Sequence, residues 1–484
     1  MLTKQSNSKV TQGNRPKRST VMKPFTLERS SLSELSKALK GRVITPDAAG
    51  FDEARTVFYG NIDRRPALIV RPADAADVAY TVSLAREAGL ELAVRSGGHS
   101  IAGHSVSEGG IVLDLSEMQR LNIDVEHRTA WAETGLTAGK YTEATAAYGL
   151  ATGFGDTASV GIGGLTLGGG VGYLVRKHGL TIDNLLAAEV VTADGQIRSV
   201  DDRHHPDLFW AIRGGGGNFG VATRFKFRLH PVDTVVGGLL ILPATPSVIA
   251  SFIAEAEAAP DELSAIVNIM PAPPMPFLPA EHHGRLVVMA MLVYAGKAET
   301  GQRVLKRFQT IVTPIVDMIR PMPYPAVYQP DQAGYHPVGV VRSSFMDDVD
   351  RDAAQTIVDH LKASSASMSV AQLRVLGGSV ARVPAEATAF AHRQRQVMVN
   401  LAALYEQPDQ AAIHESWVSN FSAALNPDGS GVYVNFLGDE GEQRIREAYP
   451  GTTWERLSAI KQRYDPSNLF RLNQNVPPAK KVTG

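Results

Sequence analysis

Cysteine is the most informative absence in this chain, since none of its 484 residues is a cysteine. That absence excludes disulfides, thiolate metal ligands, iron–sulfur clusters and a cysteine nucleophile. The chain also lacks an apolar run of about 18 residues, so no transmembrane helix is predicted. An excess of charge of either sign is also missing, because Lys+Arg is 48, Asp+Glu is 49 and the net charge is -1. We therefore expect neither nucleic acid nor an anionic membrane as a partner.

The first 23 residues carry basic but no acidic side chains, and they lack the apolar segment that a signal peptide needs. We therefore expect residues 1–28 to form a disordered basic tail and the protein to be cytoplasmic. The remaining length is enough for two domains, each with a sizeable core.

Glycine is abundant, with 44 residues, and it is concentrated in three clusters. The first cluster follows a short apolar strand at 92–94 and reads Ser-Gly-Gly-His-Ser at 96–100. Glycines allow a sharp turn, and successive N–H groups in such a turn can bind an anion such as phosphate. His99 would then lie beside the bound group. Taken alone, the stretch is more typical of a Gly-rich surface turn with a solvated histidine, and the rest of the chain reverses that preference.

The second cluster is the densest, because nearly half of the residues from Gly155 to Gly172 are glycine. Such density costs chain entropy unless the backbone must pass close to something, and a flat cofactor ring would supply that reason.

The third cluster, 214–220, contains a formal Gly-x-Gly-x-x-Gly pattern. A dinucleotide fingerprint follows a strand and opens a helix. Here a predicted helix at 206–212 precedes the glycines and an alternating strand at 221–229 follows them, so the order is reversed. This context argues against a nicotinamide dinucleotide site.

Periodicity predicts an α+β chain. In the first part, Asp74 is expected to cap a helix that ends at Gly89, between buried strands at 67–70 and 92–94. A further strand is predicted at 110–115, a helix at 137–148, and a strand at 188–192 that turns at 193–195. Beyond 236, strands are predicted at 286–294, 372–375, 397–402 and 431–436, with helices near 298–311, 349–363 and 409–424.

Four motifs carry a resemblance to a known family: RSGGHS at 95–100, SVGIGGLTLGGGVGYL at 159–174, FWAIRGGGGNFGV at 209–221 and YDPSNLFRLNQNVPP at 464–478. In this order they resemble the berberine-bridge-enzyme-like branch of FAD-linked oxidases, within the vanillyl-alcohol-oxidase / p-cresol-methylhydroxylase (PCMH) superfamily. The resemblance covers roughly 40–235 and 430–478, and the middle of the chain matches only loosely.

The resemblance implies an α+β architecture in three parts. Residues 29–235 would form a PCMH-type FAD-binding domain of two α+β subdomains. Residues 236–429 would form a substrate-binding domain, an antiparallel sheet backed by helices. Residues 430–484 would form a berberine-bridge-like segment that returns to the FAD domain.

The resemblance also implies FAD as cofactor, bound covalently through its 8α-methyl group to His99. Thr157 occupies the position at which many relatives carry a second, cysteinyl link, so a single bond is expected. His104, five residues after His99, is interpreted as a loop residue that contacts the cofactor. The residues assigned to FAD binding are Arg95, Ser96, Gly97, Gly98, His99, Ser100, Gly103, His104, Thr157, Val160, Gly161, Gly163, Gly164, Gly168, Gly169, Gly172, Tyr173, Asp183, Val190, Asn473 and Asn475.

The implied activity is an oxidase that removes hydride from a small-molecule alcohol or cyclic amine, either a secondary metabolite or a sugar-like compound. The small side chain of Val160 resembles the oxygen-accessible type, which favours O₂ as acceptor and hydrogen peroxide as product. Tyr433 and Asn435 match the family's substrate-side motif, and on a strand they would share a face. A tyrosine of pKa about 10 is a poor base unless a neighbouring cation lowers that pKa. A core tyrosine would give the same pattern.

Other polar candidates are weaker. His392 and Arg393 could line a pocket, although such a pair is more typical of a surface or an interface, and no spaced metal-ligand set is present. Three alternatives stay open: a flavin-dependent dehydrogenase with another acceptor, a non-catalytic flavin-binding protein and, with least support, a nicotinamide-dependent enzyme. The sequence indicates neither the substrate's identity nor an oligomeric state.

Overall fold

The computed structural model describes residues 29–328, 334–426 and 431–480. The tail expected at 1–28 lies outside these residues. None of the helices in the described ranges is long and apolar enough to cross a membrane. The expected domain boundaries stay predictions.

The first unit is a four-stranded sheet in the order β1-β2-β4-β3, in which β2, β4 and β3 run parallel. Helix α3 begins after Asp74, whose carboxylate accepts the N–H groups of Ala76 and Asp77, and it ends at Gly89 with φ 64°. Both predicted caps are therefore confirmed. The elements are α1 (Arg29–Ala38), β1 (Arg42–Ile44), α2 (Phe51–Arg55), β2 (Leu68–Arg71), α3 (Ala75–Ala88), β3 (Leu92–Arg95) and β4 (Ile111–Asp114).

The second unit is a five-stranded antiparallel sheet in the order β5-β6-β10-β8-β9, while β7 pairs separately with β11. Helix α7 precedes the third glycine cluster and β10 follows it, which confirms the reversed order. The elements are β5 (Leu121–Asp124), β6 (Thr129–Glu133), α4 (Ala138–Ala146), β7 (Leu150–Ala151), α5 (Ile162–Gly168), α6 (Val175–His178), β8 (Leu185–Val191), β9 (Ile197–Val200), α7 (Pro206–Ala211), β10 (Val221–Arg228) and β11 (His230–Pro231).

The third unit is an eight-stranded antiparallel sheet in the order β15-β12-β14-β13-β18-β19-β17, with β16 also paired to β12. Helices α8, α9, α10 and α12 contribute to one apolar core with its strands. The elements are β12 (Thr234–Pro243), α8 (Pro246–Glu257), β13 (Leu263–Pro271), β14 (Leu286–Tyr294), α9 (Ala298–Gln309), β15 (Val316–Asp317), β16 (Arg320–Pro323), β17 (Gly339–Met346), α10 (Arg351–Ala363), β18 (Met368–Val375), α11 (Gly378–Arg382), β19 (Val397–Leu404) and α12 (Ala411–Leu425). This arrangement confirms an α+β fold with an antiparallel sheet backed by helices.

The predicted strand at 431–436 is wrong. Residues 434–436 form a 3₁₀ turn, and the N–H of Tyr433 donates at 3.3 Å to the side-chain hydroxyl of Ser343 on β17 rather than to a backbone carbonyl of that strand. Alternation of apolar and polar residues over so short a run therefore did not reflect sheet pairing.

The C-terminal segment contacts the second unit through α13 (Glu442–Ala448) and α14 (Thr452–Tyr464). The fully buried ammonium of Lys461 pairs with Asp465 at 2.7 Å and donates to the carbonyl oxygens of Asn218 and Phe470. One cation thus ties α14 and the chain after it to the third glycine cluster.

Candidate active site

The three units surround a cavity of about 490 Å³, a volume usual for small-molecule sites. An adjoining cavity of about 700 Å³ shares the glycine turn at 96–99 with it. Many of the sequence-predicted residues are brought together here. Those that line the first cavity are Ser96, Gly97, Gly98, His99, Ser100, His104, Thr157, Val160, Gly161, Gly163, Gly164, Tyr433, Asn435 and Asn473.

The first two glycine clusters pack backbone against backbone. A Cβ added to Gly97 would lie 2.2 Å from the amide nitrogen of Gly161, and one added to Gly161 would lie 2.3 Å from that of Gly97. Ser96 joins the clusters further, since its hydroxyl donates to the carbonyl of Thr134 at 2.5 Å and accepts the N–H of Gly163 at 3.2 Å. The turn that presents His99 is therefore fixed by the second cluster.

We expected a cofactor ring to account for the density of glycine in the second cluster. Contacts within the protein account for much of it instead. A Cβ on Gly168 would lie 2.0 Å from Asn435 Oδ1, one on Gly170 2.0 Å from Thr181 Oγ1, and one on Gly172 1.5 Å from the carbonyl of Phe154. These glycines are required by contacts within the protein. Gly164 differs, because it lines the cavity and a Cβ there would meet no atom within 4 Å.

His99 and His104 both line the cavity. The ring of Phe58 stacks on His99, with centroids 4.2 Å apart and an interplanar angle of 23°. His104 is largely buried, and this burial lowers its pKa to about 4. His104 is therefore neutral at pH 7.

Tyr433 presents a buried phenol held by two donors. Its oxygen accepts the N–H of Gly170 at 2.7 Å and the Nδ2 amide of Asn435 at 2.9 Å. Burial raises the pKa of Tyr433, while these two hydrogen bonds and the nearby Arg374 act in the opposite direction. The expected pairing of Tyr433 with Asn435 is present, although it arises in a 3₁₀ turn.

Arg374 on β18 is a site residue that sequence reasoning missed. It is buried, donates to Asp156 Oδ2 at 2.7 Å and to the carbonyl of Val171 at 2.9 Å, and lies 4.9 Å from the centre of the Phe436 ring. Its positive charge acts to lower the pKa of Tyr433, which burial nevertheless raises overall. The signal was present in the sequence, since Arg374 is the one charged residue of β18.

Several predicted cofactor residues lie outside the first cavity's lining. Arg95 pairs with buried Asp114 at 3.0 Å, and Asp183 accepts two bonds of 2.8 Å from Arg393. Arg393 is fully buried, which corrects its assignment to a surface or interface. The side chain of Tyr173 packs in an apolar cluster, and that of Val190 packs near Gly220. The predicted cofactor residues that lie outside the lining of the first cavity are Arg95, Gly103, Gly168, Gly169, Gly172, Tyr173, Asp183, Val190 and Asn475.

The residues present fit a bound FAD. The glycine turn at 96–100 and the open backbone at Gly164 give close approach without side chains. In addition, the buried carboxamide oxygen of Asn473, on the cavity wall, accepts no hydrogen bond from the described residues. Buried acceptors of this kind normally have a donor, and the hydroxyls or ring N–H of FAD could supply one.

Comparison with known proteins places this geometry among flavoproteins. The family model described as FAD binding domain matches residues 66–201, and the model described as Berberine and berberine like matches residues 432–477. An FAD-linked oxidoreductase of Dictyostelium discoideum is 32% identical over 433 residues, which covers 86% of this chain and 90% of that protein.

Two further similarities concern nicotine oxidases. The chain is 30% identical over 457 residues to (R)-6-hydroxynicotine oxidase of Paenarthrobacter nicotinovorans, covering 91% of this chain and 97% of that protein. The solved structure of 6-hydroxy-D-nicotine oxidase from Arthrobacter nicotinovorans superposes with a TM-score of 0.81 at 28% identity, covering 91% of this chain and 98% of that one.

Proposed function

This chain belongs to the berberine-bridge-enzyme-like family of FAD-linked oxidoreductases, and from that membership we propose that it is an oxidase of small alcohols or cyclic amines with its flavin attached to His99. FAD, when bound, accepts a hydride from a substrate carbon and passes the electrons to O₂, which becomes hydrogen peroxide. The protein must therefore hold the cofactor, orient the substrate and accept a proton.

The cofactor would be held mainly by backbone groups. The N–H groups of the turn at 96–100 suit a phosphate, and the exposed backbone of Gly164 suits a flat ring. Asn473 would accept a hydrogen bond through its orphaned oxygen. With Thr157 on the cavity wall and no cysteine in the chain, His99 is the one proposed covalent attachment.

Tyr433 is the proposed proton acceptor, and the hydrogen bonds to its oxygen are the observation that carries the proposal. Both the Gly170 N–H and the Asn435 amide donate, so they stabilise the phenolate more than the phenol. The Arg374 guanidinium acts in the same direction. A phenolate formed here could take the O–H or N–H proton of a substrate as hydride leaves the adjacent carbon.

The sheet contributes the proposed substrate-facing polar groups, Gln372 and Asn400, which lie opposite each other on β18 and β19. The Oδ1 atom of Asn400 is buried and has no hydrogen-bond partner among the described residues. A substrate O–H or N–H would satisfy it. The similarity to an oxidase named for 6-hydroxynicotine supports a cyclic amine as one of the two substrate classes.

The proposal is tested on purified protein by acid precipitation, followed by oxygen-electrode assays with secondary alcohols and cyclic amines. We expect the yellow colour to stay in the pellet of the wild type and to appear in the supernatant of His99→Ala. Oxygen uptake should match peroxide formation with a substrate of either class. Substrate that bleaches the flavin anaerobically without supporting oxygen uptake would instead identify a dehydrogenase.

A further inference from the structure

The aromatic stack on His99 is a feature of the cavity that the proposed function does not use. Phe58 lies 41 positions before His99 in sequence, yet their rings are nearly parallel at 4.2 Å. A stack covers one face of an imidazole, whereas the lone pairs of its nitrogens lie in the ring plane. Phe58 therefore restrains the orientation of the ring without engaging the nitrogen that would react.

Phe58 is itself fixed by the turn that carries His99. Its N–H donates to the carbonyl of Gly98 at 3.1 Å, so its backbone is bonded to the residue next to His99. Glycines at 97 and 98 place no side chain beside the imidazole. Phe58, from a distant part of the sequence, supplies an orienting contact by stacking on the ring.

A segment before β17 supports Phe58 from the other side. The N–H of Gly60 donates to the carbonyl of Pro337 at 3.0 Å, and Nδ1 of His336 lies 3.1 Å from the carbonyl oxygen of Val57. The Tyr335 ring meets Phe58 edge-on, with centroids 6.3 Å apart at 73°. Tyr335 and Phe58 thus form a short aromatic row that ends on His99.

We infer that Phe58 is a positioning residue, which holds the His99 imidazole in the orientation required for covalent attachment of FAD. The inference rests on the proposed attachment to His99. In the overall reaction, the imidazole N–H and one 8α-methyl C–H are replaced by an N–C bond. The two protons and two electrons released by this exchange reduce O₂ to hydrogen peroxide. An imidazole restrained near its reacting orientation loses less rotational freedom when this bond forms.

The test measures attachment separately from binding. Full-length protein from flavin-starved cells is mixed with excess FAD in air, and acid-precipitable flavin is followed against time, with total bound FAD measured in parallel. Phe58→Leu removes the ring but keeps apolar bulk, and Phe58→Tyr restores a ring. Phe225→Leu is the matched control, because it removes a buried ring from the second unit's core.

We expect Phe58→Leu to bind FAD but to attach it about tenfold more slowly, since the loss of an aromatic pair is of this order. Phe58→Tyr and Phe225→Leu should attach it at the wild-type rate. Equal rates for Phe58→Leu and wild type would overturn the positioning role while leaving the attachment itself intact. A parallel loss of attachment and binding in Phe58→Leu would also overturn it. Wild-type protein that never retains flavin in acid would overturn the attachment, and the positioning role with it.

Discussion

The Nδ2 amide of Asn435 donates a 2.9 Å hydrogen bond to the phenolic oxygen of Tyr433, two residues before it. This bond lowers the pKa of a phenol that burial raises. If Tyr433 acts as the base, the enzyme is active in its ionised form, so kcat/KM should rise with pH through that pKa. Asn435→Ala should raise that pKa and therefore lower kcat/KM at every pH on the rise, as measured by steady-state oxygen uptake from pH 6 to pH 10.

Tyr433→Phe is the companion variant for the same profile. Because it removes the ionisable group, we expect kcat/KM to fall by a factor of about 10²–10⁴. The kcat/KM of the variant should also no longer rise over the pH range in which that of the wild type rises. Covalent flavin content should stay at the wild-type level. An unchanged rise of kcat/KM with pH in either variant would assign the base to another residue.

The glycine clusters predict opposite outcomes for two alanine substitutions. Gly161→Ala forces a Cβ against the Gly97 amide and should destabilise the protein by about 1–3 kcal/mol. Gly164→Ala adds a Cβ in open space within α5, where alanine favours the helix by about 0.5–1 kcal/mol. It should therefore fold as well as the wild type yet bind less FAD, because the added methyl enters the cavity. Urea midpoints and flavin content separate the two effects, and normal FAD binding by Gly164→Ala would place the cofactor elsewhere.

Features set by neighbouring residues could be predicted from the sequence. Asp74 and Gly89 marked the two ends of α3, because capping bonds form within a few residues of the chain. The helix before and the strand after the third glycine cluster followed from local periodicity for the same reason. The resemblance to the FAD-linked oxidase family additionally predicted FAD as the cofactor and the antiparallel sheet of the third unit.

Contacts between distant parts of the chain could not be predicted. Arg374 reaches Asp156 across 218 positions, and Arg393 reaches Asp183 across 210, so no local pattern indicates either pair. The 3₁₀ turn after Tyr433 was mistaken for a strand because Ser343, the hydrogen-bond partner of the Tyr433 N–H, lies 90 positions away in the sequence. Long-range partners, rather than propensity, determined these parts of the site.

Removing one partner of the buried ion pair between Asp183 and Arg393 should strongly destabilise the protein. The guanidinium is fully buried and makes two bonds of 2.8 Å to the carboxylate, with Thr388 as a further acceptor at 2.7 Å. Asp183→Ala leaves this cation without its partner, which costs about 3–5 kcal/mol. Replacing both residues with apolar side chains should cost less than Asp183→Ala alone. Urea denaturation of the single and double variants measures this difference, and additive losses would contradict it.

Two stacked histidines predict loss of stability in mild acid. His178 and His230 lie 3.8 Å apart at 14°, and burial, with repulsion from the neighbouring cations, lowers their pKa values to about 3 and about 4. Unfolded, each titrates near pH 6.5, so below that pH the unfolded state binds more protons than the folded state. The free energy of unfolding should therefore fall as the pH decreases from about 6.5 to about 4.

His230→Phe keeps a ring in the stack but cannot be protonated, so it isolates the titration from the packing. It should lower stability somewhat at pH 7.5, because it loses the 2.6 Å hydrogen bond between His230 Nε2 and Asn184 Oδ1. The further loss between pH 7.5 and pH 5, measured as the change in urea midpoint, should nevertheless be smaller than in the wild type. Since His178 then has no cationic neighbour in the stack, its own protonation also becomes less unfavourable. An equal or larger loss in the variant would show that other groups control the acid response.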